Sequence, residues 1–275
     1  MTRLSQSMVT KIGSELKSYD EELHHRTGHT VKEVAYRGAV LLKMRPLPEY
    51  RPRVAVIPVS TGQGIIRGFS EAVRDIVDYL GFPSYVTAKP DVTGLAQAVE
   101  EGAEILFLAD DNCFVAVNVE RRFVVNNKSA TASGYAAALD YGAGGLRGKK
   151  VLIIGAGEIG KTALKIIKNM GARVGVYDID ISKAELAAAG LGATVERNLD
   201  EALHGYRSLY DASPAADIIG TEHIRPETRI AACGIPMGIT AEACSILGDR
   251  VIHDPLQIGV ATMMMASTSE KLNGG

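Results

Sequence analysis

Tryptophan is missing from this chain, and aromatic residues of all kinds make up only 5% of it. A surface that stacks nucleobases on aromatic rings is therefore not expected. Net charge is nearly missing as well, at −2, which removes the electrostatic reason to look for nucleic acid or an anionic membrane as partner. No apolar run approaches 18 residues, and the opening Met-Thr-Arg-Leu-Ser-Gln-Ser lacks the apolar stretch of a signal peptide. Cysteine is scarce: Cys113, Cys233 and Cys244 cannot all pair, none sits in a C-x-x-C, and they read as reduced thiols of a cytoplasmic protein. The six histidines form no H-E-x-x-H or similar ligand spacing, so no metal site is expected. There is no internal repeat and no low-complexity tract. What remains is an ordinary globular composition, 46% apolar and 23% charged, in 275 residues, enough for two modest domains or one large one.

Against those absences one motif stands out. Gly155-Ala156-Gly157-Glu158-Ile159-Gly160 follows the apolar run Val151-Leu152-Ile153-Ile154 and leads into a helical pattern. The first glycine permits a tight turn, the second lets backbone approach a pyrophosphate, and the third lets the helix pack on the strand. A second apolar run, Val174-Gly175-Val176-Tyr177, ends in Asp178, 23 residues after Gly155, where an acceptor for the ribose 2′-hydroxyl belongs. Alone, the glycine pattern could be an ordinary turn. Strand before, helix after and acid at the right distance make it a dinucleotide site.

The rest of the chain supplies an α/β frame of two domains. Leu4, Met8, Val9, Ile12, Leu16, Tyr19 and Leu23 recur at helical spacing, stopped by Thr27-Gly28, and a second helix runs from about 31 to 42. Strands are expected at 54–59, near 85–86 and at 105–109, separated by helices at 69–80 and about 92–101. That order implies a small parallel sheet in the N-terminal domain. Asn126 and Asn127 close a turn, an Ala-rich helix follows from 129 to about 141, and 142–148 form a glycine junction. The C-terminal Rossmann domain has expected strands at 151–154, 173–177, 208–212, 230–233 and 251–253, and a last helix at 256–271 returns to the cleft. The division is 1–128 for substrate and catalysis, 129–146 for linkage, 147–255 for the coenzyme and 256–275 for the returning helix.

Chemistry should gather at the carboxyl ends of the strands. Asp178 favours NAD over NADP, because its carboxylate accepts from a free 2′-hydroxyl and repels a 2′-phosphate; Ile179 beside it joins the coenzyme site. Ser213-Pro214 lies where backbone lines the adenosine, and Gly234-Ile235-Pro236 where backbone meets the nicotinamide ribose, although each is equally readable as a plain interstrand loop. In the first domain Ser60-Thr61-Gly62-Gln63-Gly64 offers hydroxyls and N–H groups before a helix. The competing reading there is a structural βα turn. It lacks the G-K-[ST] of a P-loop. Asp110 and Asp111 end a buried strand; Asp110 is expected to face the pocket and Asp111 to be structural. Oxidation of an alcohol calls for a His or Lys acid–base in this domain. His24, His25 and His29 sit on the opening helix and its exit, and Lys43 and Lys89 form no recognisable pair. A site poor in bases suits an amine better, since expelling hydride from an amine carbon needs only the nitrogen lone pair and a nearby anion.

Several runs then resemble the pyrrolysine-forming dehydrogenases over nearly the whole chain: Val59-Ser60-Thr61-Gly62-Gln63-Gly64-Ile65-Ile66, Pro90-Asp91-Val92-Thr93-Gly94, Ala109-Asp110-Asp111-Asn112-Cys113-Phe114-Val115-Ala116-Val117-Asn118, Ala212-Ser213-Pro214, and Pro255-Leu256-Gln257-Ile258-Gly259-Val260-Ala261-Thr262-Met263. Cys113-Phe114 and Ser60-Thr61 depart from the family's local pattern. The resemblance implies an NAD-dependent oxidation of the terminal amine of 3-methyl-D-ornithyl-N6-lysine, whose iminium hydrolyses to an aldehyde that cyclises with loss of water. It also implies Asp110 facing an amine, Leu4 closing over the substrate, Ser60 and Thr61 holding polar groups, and Asn127 beside the cleft. Separately, the apolar opening helix offers a docking face for a neighbouring subunit, and a homodimer is expected. Two other readings compete: another small-metabolite NAD enzyme of the methylene-tetrahydrofolate or shikimate dehydrogenase kind, and a module that senses NAD without chemistry.

Overall fold

The computed structural model describes residues 4–62 and 66–271; Gln63 and Gly64 of the glycine-rich turn lie outside the described residues. The opening segment is two helices, α1 (Gln6–Val9) and α2 (Ile12–Thr27), interrupted where Val9 and Thr10 cross Gly68. Val9, Ile12, Leu16 and Leu23 are buried in the chain's own core, so the apolar face of this segment is already covered. Gly28 ends α2 in the left-handed conformation (φ +75°), donating its N–H to the His24 carbonyl at 2.7 Å. Thr30 and Glu33 then form a reciprocal cap for α3 (Val31–Leu41). A short strand β1 (Met44–Pro46) follows.

The first sheet holds β2 (Val54–Ile57), β3 (Ser84–Val86) and β4 (Ile105–Ala109) in parallel, connected through α4 (Phe69–Tyr79) and α5 (Asp91–Glu100). β2 stops at Ile57 rather than Val59, because Pro58 has no N–H to give the ladder. Two antiparallel strands that the sequence reading left unassigned, β5 (Phe114–Asn118) and β6 (Phe123–Asn126), widen the sheet to the order β3-β2-β4-β5-β6. The parallel sheet expected there is the three-stranded half of a mixed one. Asn126 ends β6 and caps α6 (Asn127–Gly142), accepting the Lys128 N–H at 2.8 Å.

The second sheet is wholly parallel. It contains β7 (Lys150–Ile154), β8 (Arg173–Tyr177), β9 (Thr194–Val195), β10 (Ser208–Asp211), β11 (Arg229–Ala232) and β12 (Val251–Ile252), with α7 (Glu158–Asn169), α8 (Ile181–Ala188), α9 (Leu199–Gly205) and α10 (Ala241–Leu247) between strands. The order β12-β11-β10-β7-β8-β9 reverses between β7 and β10, which is the switch point where a doubly wound sheet opens its crevice.

Helix α11 (Gln257–Ser267) is buried along its length against α3 and α6. Small residues let these three approach: a Cβ on Gly134 would lie 2.5 Å from Thr262 Oγ1, and one on Gly38 would lie 3.0 Å from Gly134 Cα. The expected helix to 271 ends earlier. Ser267, Thr268 and Ser269 hydroxyls bond back to the Met264 and Met265 carbonyls, and the chain continues as β13 (Ser269–Lys271), antiparallel to β1.

Candidate active site

On the coenzyme side the geometry is set by sterics. Gly155 leaves β7 at φ +90°, and a Cβ there would come to 3.0 Å from the Ala212 carbonyl carbon and the Ser213 nitrogen. A Cβ on Gly160 would lie 1.8 Å from the Gly155 oxygen, so the turn folds onto its own helix only without one. Gly157 differs: a Cβ there would meet nothing within 4 Å, and as the residue before α7 it provides no side-chain cap. The first N–H groups of α7 therefore face open space, the arrangement that receives a diphosphate.

Carboxylates hold the surrounding loops. Asp178 accepts the Ala156 N–H at 2.6 Å on Oδ2 and the Asp180 N–H at 2.9 Å on Oδ1, tying the acid at the end of β8 to the glycine turn. Ile179 beside it is 94% exposed, an apolar side chain standing in solvent next to the acid. Asp211, fully buried and not foreseen from sequence, accepts the Ser213 N–H at 3.0 Å and the Gly238 N–H at 3.2 Å. It thus fixes the loops carrying Ser213-Pro214 and Gly234-Ile235-Pro236 to each other. Burial pushes its carboxyl up from the ordinary range. A Cβ on Gly234 would lie 1.9 Å from the Ser213 oxygen, and Pro214 and Pro236 are exposed along this edge. Glu158, at the start of α7, is paired with Lys128 at the start of α6, which holds its carboxyl low.

A hollow of about 120 Å³ lies between the two sheets and draws its walls from both. Leu4, Thr61, Asp110 and Asn127 line it, and so does Ile159 from the glycine turn. Ser60 does not. Its hydroxyl donates to Asp91 Oδ2 at 2.5 Å and its N–H to Asp91 Oδ1 at 2.7 Å, 31 positions along the chain, so its polar groups serve the start of α5. Asp110 faces the hollow as expected, and Asp111 reaches it as well. Asp110 also holds a turn, its Oδ1 accepting the Asn112 and Cys113 N–H groups at 2.7 Å each. Those bonds keep the exposed Asp110 carboxyl below the usual range. The Asp111 carboxylate lies over Gly62, where a Cβ would be 2.1 Å from Oδ2. Asn127 Oδ1 accepts the Thr131 hydroxyl at 3.3 Å, and Gly259 on α11 leaves room for it. Phe69 and Phe114, ring centroids 5.3 Å apart, form an apolar wall.

Three wall residues escaped the sequence reading: Tyr135, Cys233 and Asp254. Asp254 had a visible signal, since it is an acid just past a Rossmann strand, the same position logic that singled out Asp110. Among the described residues the walls hold three carboxylates and no Lys, Arg or His. The arrangement can bind a cation and stabilise positive charge that develops on a substrate. Elsewhere, Asp200, His204 and His223 come together at α9. His223 Nδ1 accepts the Gly220 N–H at 3.0 Å, so its proton is on Nε2, 2.9 Å from Asp200 Oδ1. A metal on Nε2 would force a proton onto Nδ1 against that N–H, and the cluster is a hydrogen-bonded tie.

Residues 8–125 match the family described as "Pyrrolysine biosynthesis protein PylD, N-terminal domain", and residues 114–221 match "D-isomer specific 2-hydroxyacid dehydrogenase, NAD binding domain". The chain is 34% identical over 267 residues to a pyrrolysine synthase of Methanosarcina acetivorans, covering 96% of this chain and 98% of that one. It is 30% identical over 268 residues to that of Methanosarcina barkeri, covering 96% and 97%. Among solved structures, shikimate dehydrogenase of Aquifex aeolicus has the same fold, with a TM-score of 0.56, 14% identity and coverage of 80% of this chain and 92% of that one.

Proposed function

The chain belongs to the pyrrolysine synthase family and is an NAD-dependent oxidoreductase; from that premise we propose that it oxidises the terminal amine of 3-methyl-D-ornithyl-N6-lysine in the hollow between the two sheets. The observation that carries the reading is the electrostatic one: a wall with Asp110, Asp111 and Asp254 and no basic side chain among the described residues. Such a wall attracts ammonium groups and repels the carboxylate of a hydroxy acid, which disfavours a shikimate dehydrogenase-like activity despite the shared fold.

The open space at Gly157 and the uncapped start of α7 fit a dinucleotide. NAD, when bound, supplies the hydride acceptor. Gly155, Gly157 and Gly160 would hold its diphosphate, Asp178 the ribose hydroxyls, exposed Ile179 the adenine, and the loops of Ser213-Pro214 and Gly234-Pro236 the rest of the dinucleotide. Glu158 and Lys128 neutralise each other beside the diphosphate.

For the substrate, Asp110 would face the reacting amine. Its low carboxyl stays ionised at all working pH, which makes it a poor proton acceptor and a good partner for the iminium. A free primary amine of pKa near 10.4 is neutral in about one molecule in 2,500 at pH 7. An anion at about 4 Å favours the charged form by up to roughly 4 kcal/mol at an effective dielectric near 20. Asp110 therefore assists binding and the product of hydride loss while opposing the neutral amine that reacts. Thr61 and Asn127 would hold the polar groups of the amide, Leu4 would cover it, and Phe69 and Phe114 would exclude water from the amine-bearing carbon until the hydride has left. Hydrolysis takes up a water and releases the terminal nitrogen as ammonium to give the aldehyde, and condensation with the second amine returns a water as the ring closes.

We also propose a cytoplasmic homodimer. The unpaired state of Cys113, Cys233 and Cys244 supports the compartment, and the exposed stripe of Val92, Leu95 and Val99 on α5 supports an interface. Incubation with the lysyl-ornithine amide and NAD tests the activity: NADH and a product lighter by ammonia and two hydrogen atoms are expected together. NADH formation from shikimate, and none from the amide, would overturn it.

A further inference from the structure

We infer that Asp254 is a second recognition carboxylate of the same hollow, pairing with a second ammonium group at the reacting end of the substrate while Asp110 faces the first. This rests on the amine-oxidising reading and adds which groups of the substrate the site reads. An ornithine carries two amines at that end, and the hollow offers an acid from each sheet.

Asp254 follows β12 and is only 5% exposed, yet it lines the hollow with Cys233 and Ile235 on the coenzyme side. Its Oδ2 accepts the Tyr19 hydroxyl of α2 at 2.8 Å, and its Oδ1 accepts the Ile258 N–H of α11 at 3.2 Å. Tyr135 of α6 donates to the Asp254 carbonyl at 2.8 Å and accepts its N–H at 2.9 Å. The other titratable groups around it are Cys233 after β11, neighbouring His253, whose Nδ1 lies 2.8 Å from the Ala232 oxygen, and Asp211, which faces His253; Arg26 of α2 faces Tyr19. Hydroxyl and amide donors thus surround a buried carboxylate on a wall that carries no cation among the described residues. Leaving a carboxylate so placed costs free energy that a cationic ligand offsets. Capping of α11 accounts for the bond to Ile258 but not for the place of this acid on the hollow's wall.

A consequence in pH follows. Burial pushes the Asp254 carboxyl up, while the Tyr19 hydroxyl and His253 pull it down. A bound ammonium favours the ionised form, so the complex holds fewer protons than the free protein. Affinity is then weakest below the raised pKa and strengthens as pH rises through it. Asp110, held low by two amides, stays ionised and adds no slope above pH 5.

The test is calorimetric titration of the protein with lysyl-ornithine amide, without NAD, from pH 5 to 7. Both ornithine amines stay largely protonated there, with pKa values of about 7.7 and 10.4. The wild type should gain affinity as pH rises through the raised Asp254 pKa and release protons on binding. Asp254→Asn should bind about tenfold more weakly at pH 7 with no slope, and Asp110→Asn should weaken binding while keeping the slope. Tyr19→Phe, which removes a donor that favours the ionised form, should move the rise to higher pH, and it decides the matter if Asp254→Asn does not fold. The 5-aminopentanoyl analogue, lacking the second amine, should bind wild type and Asp254→Asn alike. An unchanged slope in Asp254→Asn, or in Tyr19→Phe an unmoved rise, overturns the inference while NADH formation by the wild type leaves the proposed reaction standing. A wild type that neither binds the amide nor reduces NAD with it overturns both.

Discussion

The two sides of the hollow use aspartate differently. On the coenzyme side Asp178 and Asp211 turn inward to backbone, each accepting two N–H groups and fixing the loops between strands. On the substrate side Asp110 also accepts two backbone N–H groups, but it and Asp111 line the open space itself, joined there by Asp254 from the end of β12. The coenzyme side is built by close approach of main chain, with glycines at Gly155, Gly160 and Gly234 where a Cβ would stand 1.8–3.0 Å from a neighbour. The substrate side is built from side chains on loops and helix starts. One half should therefore fail on added volume and the other on removed charge.

The sharpest way to break that contrast is Gly160→Ala. Its Cβ would meet the Gly155 oxygen, and overpacking of roughly 3 kcal/mol corresponds to about a hundredfold loss in NAD affinity. Calorimetric titration with NAD checks it, and an affinity within threefold of wild type would remove the steric account. Next in size is Asp110→Asn, expected to lower kcat/KM for the amide by roughly 10- to 100-fold, the size of a charge-assisted hydrogen bond. NAD affinity should not move; if it falls equally, the two sides are not separable. Asp178→Ala should weaken NAD about tenfold and narrow its preference over NADP, measured as a ratio of kcat/KM values. Turnover should rise from pH 7 to about 10 as the neutral amine becomes populated. The low carboxyl of Asp110 contributes no rise in that window, because it is lost only as pH falls through a value already below the ordinary one. A flat profile with chemistry rate-limiting would contradict this. The smallest effect belongs to Lys128→Ala, whose half-exposed pair with Glu158 should change NAD affinity by less than about threefold.

How far sequence reaches differs between the halves for the same reason. The glycine turn and Asp178 are legible because their constraint is local: strand, turn, helix and next strand follow within 23 residues. Asp110, at the end of β4, is placed by the rule for strand ends, whereas Leu4 and Asn127 come only from the resemblance and lie far apart in the chain. Ser60 escaped because its partner Asp91 is 31 positions away and nothing in either segment announces the bond. Strands β5 and β6 escaped because each is short and antiparallel, with a half-exposed face that reads as loop. Asp211, the last residue of β10, and Asp254, two residues past β12, stand at strand ends, but whether such an acid turns to backbone or to the hollow depends on loops that only the fold brings near.

The central claim is that hydride leaves the amine-bearing carbon of the substrate within the hollow shared by the glycine turn and Asp110. Its most direct measurement uses lysyl-ornithine amide carrying two deuterium atoms on the terminal amine carbon, with mass analysis of the reduced nicotinamide. Transfer of one deuterium to the coenzyme, with turnover slowed and the transfer reduced in rate by Asp110→Asn, is the expected result. Reduced coenzyme free of deuterium would contradict it.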